Sequence, residues 1–470
     1  MMMRSLLGSI AFAAFMAGAG FAEVAADNPL MVAEFFTDKT TVEQVQAELN
    51  KGAALDVRGR YGENPLHHAI EGHAPLAVIK LLIAGGAAVN QPVGKKGDLA
   101  TLYAAYAGDL ALMQTLKAAG ADFTAVDDVK ETALHWLTYN EHPTPEMLEF
   151  LIAEGIDPNA QSQSGDTAAS QMGWSQAEDP EALYDLLLAK GSDGSGINAD
   201  GQDLFMKAIS YAGKGAWLER LYTESDDPAA TDNNGLSGIL LASQWGINKD
   251  RLEFLEAKGF DLQATTPKGE NAMILNATYG DADSIKLLLD RGFDINVVDN
   301  KGNSPLLVAL KNNAPENVTA IIAAGADVAH ANEKGVTPIM LALSRTVGDP
   351  ATEEGKPEAA LFDLILAKGG DLKAVDAAGA STLIYAVKSG QPLVRIQQII
   401  DVGVNVNAAD GEGTTALMFA AIGAKDAAVI TALVAAGADT SVRDVFDDNA
   451  AALAADNAAL KGTAALAMLN

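Results

Sequence analysis

The sequence predicts an all-α tandem repeat, in which short helix–turn–helix units alternate with β-turn fingers. Three observations predict it. First, a phrase made of a glycine, then Thr, Ser or Asn, then often Pro or Ala, then an apolar residue recurs along the chain. Its apolar marker falls at Leu30, Leu66, Leu102, Leu134, Ala169, Phe205, Ile239, Met273, Leu306, Ile339, Leu383, Leu417 and Ala451, mostly 32–36 residues apart. Second, many copies are followed by another apolar run closed by glycine, as at Gly120-Ala121-Asp122, Gly155-Ile156-Asp157, Gly325-Ala326-Asp327 and Gly437-Ala438-Asp439. Third, Asp-x-x-Gly recurs at Asp232–Gly235, Asp299–Gly302 and Asp376–Gly379, which is tight-turn chemistry. A fixed period of this length means units that cannot bury their apolar faces alone and must stack on neighbours.

Each element follows from its residues. Asn64, Thr132, Ser304 and Thr337 are N-cap types with Pro or Ala next, so each begins a first helix. Leu81-Leu82-Ile83, Leu186-Leu187-Leu188 and Leu287-Leu288-Leu289 belong to second helices, whose apolar faces pack on the next unit. The glycine after each run supplies the left-handed residue that ends the helix. The Asp-x-x-Gly stretches form the finger tips.

This pattern resembles the ankyrin repeat, a unit of about 33 residues with a β-turn finger and two antiparallel helices. Asn64-Pro65-Leu66-His67 and Thr132-Ala133-Leu134-His135 carry the signature, and Asn296, Asn405 and Asn407 add the Val/Ile-Asn ending. The resemblance covers nearly all of 28–470 and implies an ankyrin solenoid of about thirteen units, taken as one domain over 23–470. Units marked by Ala169, Phe205 and Ala451 are degenerate. The one long spacing, 44 residues before Leu383, holds a polar loop insertion at about 346–356, TVGDPATEEGK.

The 470 residues carry 32 Lys and Arg against 62 Asp and Glu, a formal charge of −30. Such a surface repels phosphate backbones and anionic lipid, so neither nucleic acid nor acidic membrane is an expected partner. Cysteine is absent, which removes disulfides, thiol nucleophiles and Cys-based metal sites. Residues 1–22, with Arg4 before an apolar core and Gly20-Phe21-Ala22 after it, have the layout of a secretory signal peptide cut after Ala22. The expectation is therefore an exported protein, periplasmic or secreted, with no membrane attachment after cleavage and a monomeric state.

The chemistry-bearing residues point away from catalysis. No HExxH, GxSxG or Walker A pattern occurs. His67, His68 and His73 are close in sequence, but neighbours on a helix point in different directions, and the resemblance implies that His67 and His135 bond nearby backbone. No metal or cofactor is expected. The pairs Asp127-Asp128, Asp226-Asp227 and Asp447-Asp448 are read as solvated finger tips without dedicated Ca²⁺ spacing.

Aromatics supply the candidate site. In ankyrin arrays the end of the first helix faces the groove. The slots five or six residues past the marker hold Tyr139, Trp174, Tyr211, Trp245 and Tyr279, with Tyr106 four past its own. Tyr and Trp dominate binding hot spots. What the resemblance implies is a non-enzymatic scaffold that holds a protein partner in its groove and on its finger tips, and the charge favours a partner with a basic surface. Peptide or glycan binding along the aromatic track is the alternative, and a groove enzyme the different-class alternative.

Overall fold

The computed structural model describes residues 28–469 except 60–61, 95, 141, 176, 212–214, 313 and 346–355. The signal segment and all but the last residue of the insertion therefore lie outside the described residues. Among the described residues thirteen consecutive helical pairs run from Pro29–Met31 with Val42–Asn50 to Ala450–Leu453 with Ala464–Met468. The all-α expectation holds among the described residues, where extended pairing is limited to isolated bridges such as Val375 with Ser381. Two compact units result. One runs to Ala208 and includes Ala216–Ser225; the other comprises Ile209–Gly215 and Asp226 onward.

Short-range chemistry sets the first helices. Asn64, Thr132 and Ser304 accept the backbone N–H three residues on, and so do Thr167, Asn271, Ser381 and Thr415. Thr337 departs from the expectation. Its backbone is extended as a cap requires, yet its buried hydroxyl makes no cap bond, and Pro338 carries the helix start instead. Leu99 begins the third first helix with no side-chain cap at all.

The fingers are built by one repeated device. Five residues before the N-cap of most first helices, a carboxylate or amide accepts two backbone N–H groups across the turn; Thr266 does so with its hydroxyl, and Gly59 and Gly94 stand there without a side chain. Asp127 takes those of Val129 and Glu131, Asp299 those of Lys301 and Asn303, and Asp410 those of Glu412 and Thr414. Neighbouring fingers then bond backbone to backbone, Asp128 N–H to Lys96 and Gln163 N–H to Val129 in one unit, Glu333 N–H to Lys301 in the other. Gly302 has to be glycine on two counts. Its φ is +72°, and a Cβ there would meet the Asn332–Glu333 backbone of the next finger at 3.1–3.2 Å.

Two expectations about the acidic pairs need correction. Asp127 is not solvated, since it is 4% exposed and its Oδ1 holds the finger. Asp226 and Asp227 follow the second helix Gly215–Glu224, where Asp227 caps Ala229, and the fingertip proper begins at Asp232. The leucine triplets are corrected as well. Leu187 and Leu288 are fully buried, but Leu287 is half-exposed and Leu188 exposed, because 3.6 residues per turn put one residue of three on the buried stripe.

Candidate protein-docking face

Counting from the N-cap, rather than from the apolar marker, separates the predicted aromatics into two sets. Tyr106, Tyr139 and Trp174, all in the first unit, stand seven residues past the cap. Tyr211, Trp245 and Tyr279, all in the second, stand eight past it, about 100° further round the helix. Tyr106, Trp245 and Tyr279 are exposed; Tyr139, Trp174 and Tyr211 are half-buried. Trp245 and Tyr279 stack with centroids 4.9 Å apart and 29° between planes.

The position four past the cap, one helical turn below the first set, is where the marker-based reading missed residues. It holds His68, Tyr103, Trp136, Gln171 and Lys207 in five successive pairs of the first unit. Trp136 meets Tyr103 edge-on at 5.4 Å and Tyr106 at 6.2 Å. Immediately before the cap, where the finger returns to the helix, stand Glu63, Asp98, Glu131 and Asp166 in four successive pairs. Tyr103 donates to Asp98 Oδ2 at 3.4 Å, a weak contact, and Tyr139 to Glu131 Oε1 at 2.7 Å. Gln171 Nε2 in turn donates to the Tyr139 hydroxyl, and its Oε1 accepts from Thr138.

Burial first, and crowding second, act on these acids and on Glu71. Burial raises the pKa of Asp98, Glu131 and Glu71; the charge of Asp127 adds to the first two and that of Glu63 to the third. At Asp166 the charge is answered internally. Fully buried Lys207 forms an ion pair with its Oδ1 and lies 5.2 Å from the Trp174 ring centroid. Burial lowers the lysine's pKa and Asp166 opposes that shift. The close approach depends on Gly173, where a Cβ would stand 2.8 Å from both Leu204 O and Lys207 Cβ.

Two of the histidines, His67 and His135, have structural hydrogen-bond partners. His135 Nε2 lies 2.9 Å from the Asp166 carbonyl while its Nδ1 accepts from the Thr132 N–H, which defines the Nε2–H tautomer. His67 Nδ1 lies 2.8 Å from the capping Asn64 Oδ1, and burial brings its pKa down to about 4. In the second unit the first helices and fingers border a cleft of about 560 Å³ lined by Asp376, Tyr385, Lys388, Asp410 and Glu412. There Tyr385 donates to Asp376 at 2.8 Å, and Lys388 Nζ lies 4.8 Å from the Phe419 ring centroid.

Family models described as ankyrin repeats match residues 61–92, 102–152, 239–332, 273–348 and 351–444. The chain belongs to the ankyrin-repeat family. Its repeats are accordingly of a class that generally serves protein–protein interaction, typically without enzymatic activity. Among solved structures it is similar to the ankyrin repeat domain of Bcl-3, titled a unique member of the IkappaB protein family. That similarity has 23% identity, spans 47% of this chain and 91% of the other, and has a TM-score of 0.32. No curated protein sequence matches this chain. Among the described residues no helix is long and apolar enough to cross a membrane.

Proposed function

We propose that the chain is a non-enzymatic docking scaffold for a protein partner with a basic surface, held against the first helices and fingers. The observation that carries this reading is the run of pre-cap carboxylates Glu63, Asp98 and Glu131 in three successive pairs of the first unit, interleaved with Tyr103, Tyr106, Trp136 and Tyr139; the fourth, Asp166, is already paired with Lys207. Carboxylates supply attraction and steering, while the rings supply contact area at low entropic cost. A second reading, peptide or glycan binding on rings of the second unit, draws on the Trp245–Tyr279 stack, 48% exposed at both residues.

Residues 1–22 support an exported place of action, which N-terminal sequencing of the secreted chain tests by its expected start near Glu23. The docking reading is tested by capture from the exporting compartment with the mature chain as bait, beside an Asp98→Asn/Glu131→Gln variant. The expected result is a basic protein retained by the first bait and lost by the second. Retention that is equal on both baits and indifferent to 0.5 M salt would overturn the reading.

A further inference from the structure

The buried Lys207 shows what the face can hold. Three positions contribute: the pre-cap carboxylate Asp166, the ring Trp174 seven past the same cap, and the residue four past the next cap, Lys207 itself. An ammonium against a carboxylate and within about 6 Å of a ring combines an ion pair with a cation–π contact. The same three positions one pair earlier are Glu131, Tyr139 and Gln171; two pairs earlier they are Asp98, Tyr106 and Trp136. Carboxylate and ring are repeated in both, but the third residue carries no charge. A second, independent observation falls between these places. Asp127, 4% exposed, spends Oδ1 on its own finger and leaves Oδ2 without a hydrogen-bond partner, and Asp98 Oδ1 is likewise unmet.

We propose that the Asp98/Tyr106 and Glu131/Tyr139 places each take a lysine or arginine side chain from an extended basic segment of a protein partner. This rests on the docking reading above and adds a register to it. Packed helices lie about 8–10 Å apart, and a segment in polyproline-II conformation advances about 3.1 Å per residue with three residues per turn, so that every third side chain falls on one face at intervals of about 9 Å. Cations on one segment therefore reach successive places when they are three residues apart. Lys96, whose charge acts on both Asp98 and Glu131, offsets part of the attraction.

The test uses the full chain and two twelve-residue peptides of identical composition, measured by calorimetry at low salt. One has lysine at every third position among Gly and Ser; the other has its lysines adjacent. The spaced peptide is expected to bind about tenfold tighter, the worth of one well-formed charge-assisted contact. Asp98→Asn and Glu131→Gln should each remove most of that advantage, as should Tyr139→Ala, with folding checked by circular dichroism. Equal binding of the two peptides, weakened alike by the variants, overturns the register while leaving the docking reading intact. No binding of either peptide overturns both. Spermine competing as well as the spaced peptide overturns the assignment to a protein segment.

Discussion

Glu131 is held by the Tyr139 hydroxyl at the cost of sharing a crowded, partly buried surface with Asp127 and Asp166. Its pKa is raised in the native state, first by burial, so from about pH 4.5 upward the native chain holds more proton than the unfolded one. Stability must fall as pH rises through the raised value and stay lower above it. Glu131→Gln keeps an acceptor for Tyr139 and removes the charge. The melting temperature at pH 7 should therefore rise, and its decline above pH 4.5 should flatten, in calorimetric scans from pH 4 to 8. His67 has the opposite sign. Its native pKa of about 4 lies below the ordinary 6.5, so its contribution is complete above pH 6.5 and is lost as pH falls toward 4. Protection factors in Pro65–Glu71, taken relative to the intrinsic exchange rate at each pH, should fall across that window. Trp245 is exposed and stacked on Tyr279, so Trp245→Ala should cost only about 1 kcal/mol, the value of a surface aromatic pair. A loss of about 3–5 kcal/mol in thermal denaturation would mean a core ring.

Helix starts were legible because caps are short-range chemistry: Asn64, Thr132 and Ser304 each hold their own helix. What was not legible depended on contacts with the next pair. The marker placed Trp174 in a full helix, whereas Ala168–Gln171 gives way to a 3-10 turn, Met172–Trp174, and Gly173 lets the following helix approach closely. Gly173→Ala should therefore lower stability and disturb the Lys207–Trp174 contact, readable as a shift in tryptophan fluorescence. The aromatic set mixed two helical positions because two slots, five and six past the marker, were read as one, and one residue turns a side chain by about 100°. The leucine triplets show the same limit. Leu288→Ala should cost roughly 2–5 kcal/mol and Leu287→Ala less than half as much, as urea unfolding of the two variants would show.

At the scale of the molecule, the charge of −30 is a self-repulsion that added salt screens. Raising sodium chloride from 50 to 500 mM should increase the melting temperature while weakening any basic peptide bound to the first unit. Opposite signs in one titration separate the fold's response from the site's. The period and the unit count were readable from the sequence because every pair repeats the same burial problem. The acid–aromatic places were only partly so. Asp98 and Glu131 sit in separate fingers, and nothing in a linear reading tells an aspartate that braces a turn, such as Asp127, from one that faces a ligand.

Lys207 gives the row of places an end. Because that cation is fully buried against Asp166, an incoming segment finds its next position already taken by the host chain. On the proposed register the face would work as a ruler with a fixed stop, reading how far a positive charge lies from the point where a partner must turn away. Two segments of equal charge and unequal phase would be told apart by length alone, a form of selectivity that needs no residue-specific pocket.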